Sequence, residues 1–330
     1  MAYPNFFVVG HPKSGTTAMY AFLRQHPDVF MSPLKEPCYF CTDFHDESDR
    51  LHGGRVFFPI RSTEKYLSLF REARDHAVVG EASPLYLCSS TAIQNIAKVR
   101  PDARILAILR EPVDFLVSLH KQRVRNGYED QTSLLDALNL EHARREGRHL
   151  PKDVPCARLL FYREWIRYWE HLARCFQHFP RERVKVVIYE DFRRDNKGVF
   201  REVAEWLGID PTFQPTFREI NKYPEGELSP LARWLYRPRL RALLRNLVPV
   251  RWYDAIWDFA FGVFWRPSPE SKSDKEKIRD ILDQEIKETI ERTSEVLKRD
   301  LYSIWGKSGG QDKPEYGRPS ATSGLLQVKG

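Results

Sequence analysis

Lys13, Ser14, Gly15, Thr16 and Thr17 follow one another just after the apolar run Phe6-Phe7-Val8-Val9 and the breakers Gly10 and Pro12. An ammonium, three hydroxyls and a glycine in that span are the groups that grip an oxyanion. The lysine brings a mobile charge, the hydroxyls donate, and the glycine lets the backbone come close. Arg110 and Ser118 form a second constellation, eight residues apart, at the end of the apolar run Ile105 to Leu109. A guanidinium fork and a hydroxyl from the next helix can converge on one dianionic phosphate. Glu36 stands between Pro33 and Pro37 and just before Tyr39-Phe40. That bracket predicts a rigid, partly apolar setting, which raises a carboxylate's pKa and suits it to take a proton from an alcohol. The same residue also reads as a surface ion pair. Glu81 and His11, each at the end of an apolar run, are further candidates on the substrate side.

These groups need elements to hold them. Phe6 to Val9 reads as a buried strand, and Met19, Phe22, Leu23 and His26 recur at helical spacing, so strand, loop and helix follow in succession. The helix start presents unpaired amides and a positive dipole end to the loop. Further buried strands are predicted at 77–80, 104–109 and 184–189. Helices are predicted over 63–74, 133–146, 157–179, up to Gly208, and as one long final helix marked by Ile278, Leu282, Ile286, Ile290 and Leu297. Residues 28–37 read as a loop and 42–60 as an irregular insertion. Strands alternating with helices imply an α/β fold with a mostly parallel central sheet flanked by helices. Ligands of such sheets lie beyond the carboxyl ends of the strands, where Lys13, Glu81 and Arg110 fall.

The chain has 330 residues, 42% of them hydrophobic, and a formal charge of +7, which favours anionic partners. Residues 1–305 read as a single domain. A basic, aromatic and helical cap is expected over about 227–265, with peripheral membrane contact through 231–265 as one use of its arginines. Residues 306–330 read as a disordered tail. Five cysteines at irregular spacing make no disulfide framework, and Cys38-x-x-Cys41 reads as packed thiols. No metal-ligand spacing and no nucleic-acid module is seen. With neither a leader nor an apolar run of spanning length, a cytoplasmic location is expected.

The loop is not a Walker A motif, because its lysine precedes the second glycine by two positions. Pro12-Lys13-Ser14-Gly15-Thr16-Thr17 instead resembles the 5′-phosphosulfate loop of sulfotransferases, which use 3′-phosphoadenosine 5′-phosphosulfate (PAPS). Lys35-Glu36-Pro37-Cys38-Tyr39-Phe40 is similar to the Lys-Glu-Pro-x-x-Phe element of the carbohydrate type, whose glutamate is the general base. Arg110 and Ser118 resemble its 3′-phosphate site. Tyr189-Glu190-Asp191-Phe192 and the ending Arg299 to Trp305 also recur in such enzymes. Glu81-Ala82-Ser83-Pro84-Leu85-Tyr86 departs from the family pattern, with Ala82 where a lysine is expected.

The resemblance spans about residues 6–305 and implies a P-loop-like three-layer architecture with a helical C-terminal cap. It implies in-line sulfuryl transfer from PAPS to a hydroxyl of a carbohydrate, lipid or small alcohol, without a metal. Lys13 would neutralise the bridging oxygen, with Ser14, Gly15, Thr16, Thr17, Arg110 and Ser118 binding PAPS and Glu36 taking the acceptor's proton. A loop over Ser268 to Lys277 would cover the cofactor. A P-loop kinase-like phosphotransferase, or a non-catalytic protein binding nucleotides or anionic lipid, are the competing readings.

Overall fold

The structure, a computed structural model, describes residues 3–217, 227–228, 265–266 and 272–306. Five parallel strands, β1 (Phe6–Gly10), β2 (Val29–Met31), β3 (Val78–Ala82), β4 (Arg104–Leu109) and β5 (Val184–Ile188), form one sheet in the order β2-β3-β1-β4-β5. Side chains alternate between its faces, so Phe7, Val9, Ile105, Ala107 and Leu109 enter one core and Phe6, Val8, Leu106 and Ile108 the other. Burial on both sides is why these strands read as unbroken apolar runs.

The helices in chain order are α1 (Thr16–Leu23), α2 (Thr42–His52), α3 (Thr63–Ser68), α4 (Ala92–Val99), α5 (Pro112–Asn126), α6 (Leu134–Asn139) and α7 (Glu141–Arg145). They continue with α8 (Tyr162–Trp165), α9 (Tyr168–His178), α10 (Tyr189–Arg194), α11 (Asn196–Leu207), α12 (Lys272–Ile281), α13 (Asp283–Leu297) and α14 (Tyr302–Trp305). α1 and α11 cover one face of the sheet through Met19, Phe22, Phe200 and Val203. α4, α5, α9 and α13 cover the other through Ile96, Leu116, Leu172 and Ile290. Among the described residues no helix is long and apolar enough to cross a membrane.

Several expected helices are broken. The 157–179 stretch divides into a 3-10 turn at Ala157–Leu160, α8 and α9, with non-helical backbone at Phe161 (ψ 74°) and Arg167 (ψ 58°). Glu141 accepts the Arg163 amide at 2.9 Å, a donor that an unbroken helix would keep for itself. The 133–146 stretch divides into α6 and α7, and the long final helix into α12 and α13, where Leu282 (φ −104°, ψ 19°) leaves helical geometry and buries its side chain. Residues 42–52 of the supposed insertion form α2, whose buried face is Phe44, His45 and Ser48. The supposed loop at 28–37 contains β2.

The expected cap is described only at its two ends, Glu227–Leu228 and Trp265–Arg266, which pair as short antiparallel strands rather than helix. The remainder of 231–265, with its suggested membrane contact, and residues 307–330 lie outside the described residues. So does the first part of the supposed covering loop, whereas its residues 272–277 already belong to α12.

Candidate active site

β1 ends against its two neighbours, so the chain segments leaving β1, β3 and β4 lie side by side at the carboxyl edge. The loop from His11 to Gly15 is pinned there by the His11 amide on the Ile108 carbonyl at 2.6 Å and by the Ser14 amide on the His11 carbonyl at 3.3 Å. Lys13 (φ 62°) and Gly15 (φ 86°) both take left-handed backbone. Such turns aim successive amides into one concavity, and a lysine holds that conformation only at a cost of about 1–3 kcal/mol. A side chain at Gly15 would be strained by its left-handed backbone and crowded, since a Cβ there would sit 3.2 Å from Tyr189 and Phe192. α1 starts at Thr16 without a side-chain cap, which leaves its first amides open to an anion. Ser14 and Thr16 are buried in the turn, and Thr17 is half-buried.

The field at the loop is strongly positive. Burial, then the neighbouring charges of Arg125, Arg110 and Lys35, depress the Lys13 pKa to about 8, and Glu36 offsets this only in part. Arg110, at the end of β4, donates through Nη1 to the Lys13 carbonyl at 3.0 Å and lies 4.8 Å over the Tyr189 ring. Its own carbonyl accepts from the Tyr168 hydroxyl at 2.9 Å, and its buried Nε has no hydrogen-bond partner. The nearby carboxylates are engaged elsewhere, Glu111 with Arg279 at 2.8 Å and Asp114 with Lys275 at 2.6 Å, although Asp114 also feels the charge of Arg110. Ser118 follows on α5, half-buried. Lys13 and Arg110 are thus joined by a hydrogen bond, and Arg125 and Lys35, which the sequence reading left out, act on the same lysine. Arg125 lies seven residues after Ser118, one helical face, and that spacing was the available signal.

Glu36 lies within the field of Lys13. Its backbone is left-handed (φ 59°) and its amide donates to the Ala82 carbonyl at 2.9 Å, so the loop between the prolines is firmly held. The partly apolar setting is not what the structure shows, because the side chain is 48% exposed and accepts from Lys35 Nζ at 2.7 Å. Prolines restrain the backbone and leave the carboxylate in water.

Glu81 and His11 are both buried. Glu81 is wholly buried within β3, accepting from Ser83 Oγ and the Tyr86 hydroxyl, both at 2.6 Å, and from the Tyr66 hydroxyl at 3.0 Å. Burial outweighs these three donors and raises its pKa from 4.5 to about 7. The folded state therefore binds this proton more tightly than the unfolded chain. Stability present below pH 4.5 should be lost as the pH rises towards 7, on the order of 3 kcal/mol. Denaturant titrations of Glu81→Gln across that window should show a flatter pH dependence than the parent; an unchanged slope would assign it to another group. His11 is likewise buried, with its pKa lowered to about 3 by desolvation and by Arg174, and it packs against Phe115, Tyr168 and His171. All five cysteines are free thiols.

A family model described as the sulfotransferase family matches residues 4–215. The mouse bifunctional heparan sulfate N-deacetylase/N-sulfotransferase 4 is 28% identical over 215 residues, covering 64% of this chain and 23% of that protein. The human N-deacetylase/N-sulfotransferase 3 is 28% identical over 220 residues, with the same coverage. The chain thus spans about a quarter of the length of these curated relatives. A crystal structure of a sulfotransferase from Alicyclobacillus acidocaldarius superposes with a TM-score of 0.63 at 27% identity, over 93% of this chain and all of that one.

Proposed function

Because the chain belongs to the sulfotransferase family, we propose that it moves a sulfuryl group from PAPS to a hydroxyl or amino group of an acceptor by in-line displacement. The observation that carries this reading is the hydrogen bond from Arg110 Nη1 to the Lys13 carbonyl at 3.0 Å, which sets two candidate anion sites side by side. A nucleotide with phosphate groups at both ends of its ribose requires two such sites, whereas a 5′-nucleotide requires one. The uncapped start of α1 and the cradle at Gly15 suit a phosphosulfate, and the unfilled Nε of Arg110 suits the 3′-phosphate.

PAPS supplies the activated sulfur when bound. The loop amides would hold its non-bridging oxygens, Lys13 would offset charge growing on the oxygen that leaves, and Arg110 with Ser118 would hold the ribose end. Glu36, on the solvent side of Lys13, is the group able to receive the acceptor's proton, and Lys35 orients it. The names of the relatives favour the carbohydrate among the acceptor classes to be tried.

Calorimetry tests the two-site reading. Adenosine 3′,5′-bisphosphate should bind well and 5′-AMP poorly, and equal affinities would remove the 3′-phosphate assignment. Arg110→Ala should weaken bisphosphate binding by about 2–3 kcal/mol. Incubation with labelled PAPS and acceptor panels tests the transfer itself.

A further inference from the structure

The segment that carries Glu36 is built from costly backbone. Glu36 (φ 59°) and Cys38 (φ 52°), on either side of Pro37, are both left-handed, and such residues persist only where their surroundings over-determine them. What fixes them is the end of β3. The Glu36 amide donates to the Ala82 carbonyl at 2.9 Å, and Pro37 has no amide to place. The Cys38 amide donates to Ser83 Oγ at 3.1 Å and the Phe40 amide to the Tyr86 hydroxyl at 3.4 Å. Alternate residues of the segment are thus tied in order to Ala82, Ser83 and Tyr86, the first through backbone and the other two through hydroxyls.

A hydroxyl carries one hydrogen, and it offers an amide a fixed lone pair only when that hydrogen is committed elsewhere. Both hydrogens here go to Glu81: Ser83 Oγ donates to Oε2 and the Tyr86 hydroxyl to Oε1, each at 2.6 Å. The Tyr66 hydroxyl donates to Oε1 as well, at 3.0 Å. The carboxylate accepts all three and donates to none, so it sets the sense of every bond in the network. Glu81 itself is fully buried and acts on the site only through its neighbours.

We propose that Glu81 is a positioning residue for Glu36. Through Ser83 and Tyr86 it holds the 36–40 segment on the end of β3, and so fixes where the Glu36 carboxylate stands beside the loop lysine. The use of that placement in catalysis rests on the sulfuryl-transfer reading; the holding of the segment does not. Two bonds independent of Glu81 keep the segment attached when the carboxylate is altered. His45 Nε2 donates to the Cys38 carbonyl at 2.8 Å, and Asn95 Nδ2 to the Phe40 carbonyl at 3.2 Å. The expected defect is therefore a displaced base in a folded protein.

Exchange and kinetics test it together. Glu81→Gln keeps the shape but offers three hydroxyls a single acceptor oxygen and an amino group, so at least one of them loses its place. At pH 8, above the Glu81 pKa of about 7, amide hydrogen exchange over residues 36–41 should be faster in this variant than in the parent, both saturated with adenosine 3′,5′-bisphosphate. Unchanged exchange overturns the proposal. Affinity for the bisphosphate should hold, while kcat should fall roughly 10–100-fold. Added to Glu36→Gln, the same change should cost less than about twofold more, because a residue acting through the base has nothing left to act on. A full further loss in the double variant overturns the positioning role and leaves Glu81 purely structural. Ser83→Ala removes the acceptor of the Cys38 amide alone; it should reproduce both results, and it carries the test if Glu81→Gln does not fold. If no acceptor is sulfated, or Glu36→Gln keeps near-normal turnover, the reading of the base fails, and the exchange measurement still decides whether Glu81 holds the segment.

Discussion

Lys13→Ala should lower sulfuryl transfer roughly 10²–10³-fold, the range for removing one preorganised charge from a developing anion. Affinity for adenosine 3′,5′-bisphosphate should fall far less, since that product lacks the sulfuryl group. The split between the two is diagnostic: a purely structural lysine would affect both together. The depressed pKa of about 8 adds a second readout. Below that pH the ammonium is charged and the site is ready; above it, each pH unit lowers kcat/KM by a further factor of about ten. Because kcat/KM reports the free enzyme, its profile for PAPS should bend downwards near pH 8, and Lys13→Ala should lose that bend. Normal turnover in the variant would remove the lysine from the mechanism.

Glu36→Gln should cut turnover by roughly 10²–10⁴-fold, the contribution of a positioned general base. The amide preserves the shape of the side chain and the left-handed turn that carries it, so affinity for the bisphosphate should stay close to that of the parent. Loss of the Lys35 contact at 2.7 Å is a separate effect, and Lys35→Ala measures it. If Lys35→Ala is as slow as Glu36→Gln, the pair rather than the base is what matters. Near-normal turnover in Glu36→Gln would exclude the residue. Glu81 and His11 would not replace it, since both are sealed in the core, and the proton would have to pass to solvent.

The parts of this site that were legible lie on buried parallel strands. Phe6 to Val9 and Ile105 to Leu109 are apolar without interruption because both faces are covered, and the breaker that follows each marks the carboxyl edge. A three-residue edge strand such as Val29–Met31 is too short to show a period. The buried side of α2, with His45 and Ser48 beside Phe44, carries no apolar stripe to read. The surroundings of a side chain were harder still. The burial of Glu81 depends on hydroxyls from Tyr66 on α3 and from Ser83 and Tyr86 in the turn after β3, two different segments. The exposure of Glu36 is not a property of its flanking prolines. The bond from Arg174 on α9 to the Leu87 carbonyl, at 3.1 Å, joins segments that only the folded chain brings together.

The central place of β1 bears on how the protein is made. Its Phe6 pairs with Gly80 on one side and with Arg104 on the other, so neither neighbour exists when this strand leaves the ribosome. The apolar run Phe6 to Val9 must wait, uncovered, through the synthesis of β2, α3 and β3, and gains its second partner only with β4. Non-local parallel pairing of this kind is slow, and a waiting apolar strand is a template for association between nascent chains. The anion-binding turn that depends on this strand therefore forms late. A binding-competent phosphosulfate loop, tested by capture of the bisphosphate on stalled chains, would report completion of the β3-β1-β4 centre rather than the appearance of its own residues.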